Sequence, residues 1–419
     1  MYVGTNNHHP RDPKYAGDRG VLLCLDEKTG KLLWQFVVPK LAGGRNVDYE
    51  DCGICSAPFV DGDRVYVLTN RCELVCLDAG GLANGNDGVT DEDKHAGGPD
   101  APPIAQGPAD ADVVWRYDLR HEHGVFPHYQ TAGSPLVVGD RVYAVTSNGV
   151  DWSDKHVPSP AAPVLVCLDK RTGKLLGQER SGISARTFYC NWSSPAYGLV
   201  GTRPTIVIGG GDGFAYGFDP EPTAAGVLRE LWRVDCNPPE YRQRDGKPVK
   251  YGDDKGPSEV IATPVVHGGK VYVGVGQDPE HGAGAGALNC IEADTTGSAV
   301  VKIAWQNKNV GRTMSSVAVG PDGLLYVPDL GGNVHCLDVA TGKAVWRHDV
   351  ESNVWGGSLH ADGKLYVGNE SGELVILAAG REKRAIGKFD MGAPVFCTPV
   401  AANGALYVAT ETQLFKLVK

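Results

Sequence analysis

Cys52-Gly53-Ile54-Cys55 sets two thiols three positions apart, a spacing used in thiol–disulfide chemistry, haem attachment and zinc binding. No His follows Cys55, so no haem is expected, and no second pair completes a zinc set. A local disulfide is the expected use if the protein is exported. Cys24, Cys76, Cys167 and Cys336 share the phrase Cys-Leu-Asp, and Cys290 stands at a similar place, so these five read as small buried apolar residues. Asn84-Gly85-Asn86-Asp87-Gly88, followed by Asp91, Glu92 and Asp93, carries oxygen ligands without EF-hand spacing and reads as a flexible acidic insertion. Gly282-Ala283-Gly284-Ala285-Gly286 joins two antiparallel strands with no helix or Lys after it, which argues against a phosphate cradle.

A second group with chemical potential is spread along the chain. His8, Asp48, His121, His128, His156, Arg186, Asp278 and His281 fall in connections rather than in strands. Taken singly, each is an ordinary solvated loop residue. They gain meaning only if the fold gathers them. Another set, Cys55, Ala132, Trp192, Ile261, Met314, Trp355 and Phe396, recurs just before small residues that open a strand. Its three aromatics could stack on a flat ligand or plug a channel.

The elements that position these residues come from a repeat. Small residues, an apolar pair, a Gly-Asp or Asp-Gly turn, a Tyr-Val strand, a Leu-Cys-Leu-Asp strand, Thr-Gly-Lys and a Trp return through Ser56 to Asp78, Ser134 to Lys174, Thr263 to Trp305 and Ser315 to Trp346. Each unit reads as a four-stranded antiparallel sheet, with strands A to D in chain order. Eight units are counted, at about 1–36, 55–119, 132–180, 193–235, 262–307, 314–349, 354–390 and 396–419. A single sheet of this kind cannot bury both faces, so the expectation is one all-β domain over 1–419, an eight-bladed β-propeller with strand A innermost. The first unit starts at strand B and the last ends after strand C, so an upstream segment is expected in a longer protein. The segments 5–20, 37–54, 120–131, 146–163, 235–261 and 276–286 are all B to C or D to A connections, which antiparallel geometry places on one face. The insertions 79–111 and 220–230 lie between C and D.

Leu25-Asp26-Glu27-Lys28-Thr29-Gly30-Lys31 with Trp34, and Leu337 to Lys343 with Trp346, resemble the tryptophan-docking repeat of the pyrroloquinoline quinone (PQQ) dehydrogenase superfamily. Trp115, Trp232 and Trp305 fit the same place, whereas Gly177 and Gly387 depart from it. The resemblance implies the propeller and leaves function open. Residue by residue it implies Asp151, in Ser147-Asn148-Gly149-Val150-Asp151, and Asn237, before Pro238-Pro239, as calcium ligands. It implies Glu259, with Asp254 as substitute, as the proton-accepting carboxylate. Trp192 and Trp355 of the apolar ring, with Arg186 of the polar connections and Arg312, are the candidate cofactor-binding residues. Against the resemblance, Gly213 stands where the family has a floor Trp, and no adjacent Cys pair occurs.

With a net charge of −10, the chain would repel nucleic acid and anionic membrane surfaces, and no apolar stretch is long enough to cross a bilayer. The leading expectation is a monomeric propeller, periplasmic or secreted, that binds a small molecule or protein at its long-loop face without evident catalysis. The rivals are a dehydrogenase of alcohols or sugars dependent on PQQ and Ca2+, and a scaffold resembling the propeller lipoprotein of outer-membrane assembly.

Overall fold

The computed structural model describes residues 1–41, 48–253, 255–281, 285–293 and 300–418. It is an eight-bladed β-propeller of mostly four-stranded antiparallel sheets. The chain divides into two compact units, Met1–Tyr197 with Phe218–Leu231, and Gly198–Gly217 with Trp232–Lys419. Blade 1 has three strands, Tyr2–Asn6, Arg19–Leu25 and Leu32–Pro39, and blade 8 has three, Val400–Ala402, Ala405–Ala409 and Leu414–Val418.

One cross-strand set explains the repeat. In blade 2, Tyr66 of Arg64–Leu68 pairs with Cys76 of Glu73–Asp78, which pairs with Trp115 of Val113–Asp118. Tyr2–Cys24–Trp34, Tyr272–Cys290–Trp305 and Tyr326–Cys336–Trp346 repeat it in blades 1, 5 and 6. The Tyr and Trp rings stand 5.7 to 6.0 Å apart. Only a small residue fits between two such rings, so Cys there is packing, and burial pushes these thiols to about 11 to 12 where a value is resolved.

Each of these Trp residues then reaches the next blade. Trp34, Trp115, Trp305 and Trp346 donate Nε1–H to the carbonyls of Ala79, Lys170, Val339 and Gly380, at 2.8 to 3.0 Å. The ring lies over the turn after strand C: a Cβ on Gly173 or Gly342 would sit 2.6 or 2.4 Å from Trp115 or Trp305. In the same turns Asp26, Asp169 and Asp338 accept from the Thr backbone and hydroxyl, so the most repeated polar motif is structural. Trp232 differs, lying over Gly217 of its own sheet.

The insertions after strand C act as edge covers. The acidic one, expected from the sequence as a flexible segment, is folded and hydrogen-bonded to its neighbours. It forms a short helix, Glu92–Gly97, whose His95 meets Glu73 at 2.9 Å, and Asp91 takes a bidentate bond from Arg116. It then bridges in parallel to Gln35 on the outer strand of blade 1 and buries Asp110 against Tyr15 and Lys14. The ion pairs of Asp91 with Arg116 and of Asp110 with Lys14 hold it down. The insertion in blade 4 adds Val227–Leu228 in parallel to Leu175–Glu179 of blade 3, and Pro222 fills the space a Trp would take at Gly177. Outer edges that would otherwise be open are thereby paired.

Small residues at the start of strand A join successive blades. Ala57 N donates to Ser134 Oγ, and Ser134 N to Ser194 Oγ, in the first unit. Ser316 bonds to Thr263, Ser315 to Gly356, and Gly357 to Thr398 in the second. Among the described residues no helix is long and apolar enough to cross a membrane.

Candidate functional site

The long connections gather side chains in each unit separately. In the first unit, Tyr49 N donates to Tyr129 O at 2.6 Å and the two rings meet edge to face at 5.5 Å. His128 is fully buried, with its ring 4.2 Å from Tyr129 and 4.3 Å from Tyr189, and it stacks at 6.5 Å on Trp192. Its Nδ1 lies 2.8 Å from Val150 O, and a carbonyl can only accept, so Nδ1 carries a proton. Tyr129 holds a φ of +57°, a costly conformation for an aromatic residue that the surrounding bonds enforce. Trp192 Nε1 donates to Gln130 O at 3.2 Å.

Two buried amides hold these connections together. Asn148 accepts from Phe126 N and donates to Ser159 O and Ser184 Oγ, and Asn191 donates to Asn148 O and Thr187 Oγ1. In the same connection as Asn148, Trp152 is 65% exposed.

In the second unit the centre is Glu259. Its carboxyl is fully buried, Oε1 accepts from Tyr251 OH and Asp278 N, both at 3.0 Å, and Oε2 has no partner among the described residues. Burial, with the nearby Asp278, raises its pKa to about 8. Asp278 is itself buried and raised by desolvation. Arg312 NH1 approaches Asp278 O at 3.5 Å, and burial lowers the Arg312 pKa against the opposing pull of Asp278 and Glu259. Tyr251 packs on His281 at 5.6 Å. Arg242 anchors the base of this connection through both carboxylate oxygens of Asp235 and through Asp212 O.

The candidate residues named from the sequence fall as follows. Glu259 and Arg312 belong to one cluster, and Asn237 adjoins it through Ser258. Asp254 lies outside the described residues. Trp355 donates to Glu370 and meets Phe396 edge to face at 6.1 Å. In the first unit, Trp192 joins the aromatic cluster, exposed Arg186 bonds to Ser181 O, and Asp151 turns its carboxylate onto Ser153 N and Oγ. The Ser153 hydroxyl bond lowers the Asp151 pKa. The residues missed by sequence reasoning are Tyr49, Tyr129, Tyr189, Tyr251 and Trp152. For Trp152 the signal was present, a Trp outside the repeat position.

These residues, as arranged, do not fit PQQ and its calcium. Asn237 donates Nδ2 to Ser258 O at 2.9 Å and accepts Ser258 N on Oδ1 at 2.8 Å, so its amide is spent on the backbone. A Cβ on Gly213 would lie 2.1 Å from Asn237 Nδ2 and 2.3 Å from Ser258 O, which leaves no place for a floor ring. Among the described residues, no three His, Cys, Asp or Glu side chains converge as a metal site.

Comparison with known proteins gives sequence and structural matches. A curated outer membrane protein assembly factor BamB of Nitrosomonas eutropha is 30% identical over 115 residues, 27% of this chain and 28% of that relative's length. The crystal structure of BamB from Moraxella catarrhalis superposes with a TM-score of 0.57 at 13% identity, covering 99% of this chain and 95% of that one. Saccharomyces cerevisiae Sqt1 gives 0.57 at 10% identity, covering 96% and 92%. Both structural likenesses concern the fold alone. The family model described as outer membrane protein assembly factor BamB matches residues 14–187 and 284–385, more than half of the chain, and the chain belongs to that family.

Proposed function

We propose that the chain is a periplasmic scaffold of the outer-membrane-assembly type, binding a protein partner at the long-loop face of its first unit. The observation that carries this reading is exposed Trp152, two residues after Val150, whose carbonyl faces the His128 ring on which half-buried Tyr129 and Trp192 pack, in connections braced by buried Asn148 and Asn191. Aromatic anchors on a preorganised surface are the usual energetic centre of a protein interface. The family relationship supports the choice of a protein partner over a small molecule.

The test places a photo-crosslinking amino acid at Trp152 or Tyr129 in the chain exported to the periplasm of a Gram-negative host, with Asp322 and Asp362 in A to B turns as controls. Adducts with an outer-membrane assembly protein from the first two positions and not from the controls are expected. Equal adducts from all four positions, or none with such a protein, would sink the reading.

A further inference from the structure

The scaffold reading makes no use of Cys52 and Cys55, which stand on the same face of the first unit. Both are thiols in this structure, Cys55 exposed and Cys52 half-buried. The backbone between them is fixed. Ile54 N donates to Thr5 O at 3.2 Å, and Cys52 N to Tyr49 O at 3.2 Å. Lys40 Nζ donates to Cys52 O, and also to Tyr49 O and Asp48 Oδ1 at 2.6 and 2.8 Å. A Cβ on Gly53 would lie 1.8 Å from Thr5 O, and one on Gly4 2.2 Å from Ile54 O, so the pair sits flat against strand Tyr2–Asn6 and tolerates only glycine at both points. Cys55 Sγ also approaches Gln130 Oε1 at 3.2 Å.

We propose that Cys52 and Cys55 form a redox-active dithiol that exchanges with small disulfides of the glutathione class and closes to an intramolecular disulfide. Two thiols on a braced four-residue segment close a ring with little backbone movement, whereas an isolated surface thiol stops at a mixed disulfide. The electrostatics agree. The Cys55 hydrogen bond and the Lys40 ammonium lower the Cys52 pKa to about 7, against burial and the carboxylates of Asp48 and Asp18. The Cys52 thiolate, having released its proton to water, attacks one sulfur of the small disulfide. A Cys52–glutathione bond forms, and one glutathione thiolate leaves. Cys55 then loses its proton to water and attacks Cys52 Sγ, expelling the second glutathione thiolate. Two protein thiols are oxidised, one glutathione disulfide is reduced, and the two released protons match the two thiolates set free. This inference does not depend on the partner reading.

The test incubates the reduced full chain with glutathione disulfide near pH 7, quenches with acid, and maps the peptides by mass. A Cys52–Cys55 linked peptide is expected to form roughly tenfold or more faster than the glutathione adduct at Cys397, an exposed cysteine with no second cysteine near it in the sequence. Cys55→Ser is expected to stop at a Cys52–glutathione adduct, and Cys52→Ser to leave Cys55 reacting no faster than Cys397. Modification of Cys52 and Cys397 at equal rates in the native chain would overturn the proposal, as would the absence of a Cys52 adduct in the Cys55→Ser chain.

Discussion

Glu259 has one oxygen saturated by Tyr251 and Asp278 and the other facing no partner among the described residues, so its charged form is poorly solvated. The folded chain keeps the proton until pH approaches about 8, whereas the unfolded chain releases it near the ordinary glutamate value of 4.5. Between those values the folded state binds the extra proton. Its stabilising contribution is complete below 4.5 and declines by about 1.4 kcal/mol per pH unit as pH rises toward 8. Glu259→Gln keeps the shape of the neutral acid and removes the titration. Urea unfolding at a series of pH values is expected to show the native chain losing stability relative to the variant by roughly 3 to 4 kcal/mol from about pH 5 to about pH 8. A difference that stays flat over that range would show that the carboxyl is not held neutral. The position of Glu259 before strand A was legible in the sequence. Its burial was not, because that depends on Tyr251 and the 276–281 connection folding over it.

At the scale of elements, the link between blades is a Trp ring lying on a glycine of the next turn. Gly342, at φ +66°, has Trp305 where a Cβ would go, while Gly404, at φ +75°, has nothing within 4 Å. Both substitutions to Ala incur the left-handed backbone cost of about 1 to 2 kcal/mol, and only Gly342→Ala also overpacks the ring. Gly342→Ala is therefore expected to destabilise the chain by about 1 to 3 kcal/mol more than Gly404→Ala, measured by guanidinium unfolding. Equal losses would mean that the ring moves aside freely. The repeat phrase made this legible, since Tyr, Cys, Thr-Gly and Trp recur at fixed offsets. The acidic insertion was misread for a physical reason: its carboxylates look solvated in a linear sequence, yet Arg116 meets Asp91, and Tyr15 and Lys14 meet Asp110, from distant positions. Composition carries no trace of such long-range pairing.

Across the whole molecule, the eight blades followed from the repeat period, a one-dimensional property that a sequence displays directly. The aromatic cluster of the first unit did not, because Tyr49, Tyr129 and Tyr189 come from three connections and meet only in the fold. In a chain of near-identical sheets, local stability follows how fully each strand is enclosed. Strands Arg64–Leu68 and Glu73–Asp78 of blade 2, and Leu324–Pro328 and Asn333–Asp338 of blade 6, are almost wholly buried. Strand Ala385–Asp390 of blade 7 and strand Leu414–Val418 of blade 8 are largely exposed. Exchange of an amide requires local opening, and opening an exposed outer strand removes little apolar contact. Hydrogen exchange read by mass spectrometry is therefore expected to be slowest in the B and C strands of blades 2 and 6 and faster, by roughly tenfold for each 1.4 kcal/mol of lost local stability, in 385–390 and 414–418. Uniform protection across those segments would mean that the sheets open only together, and that enclosure of the individual strand does not set its stability.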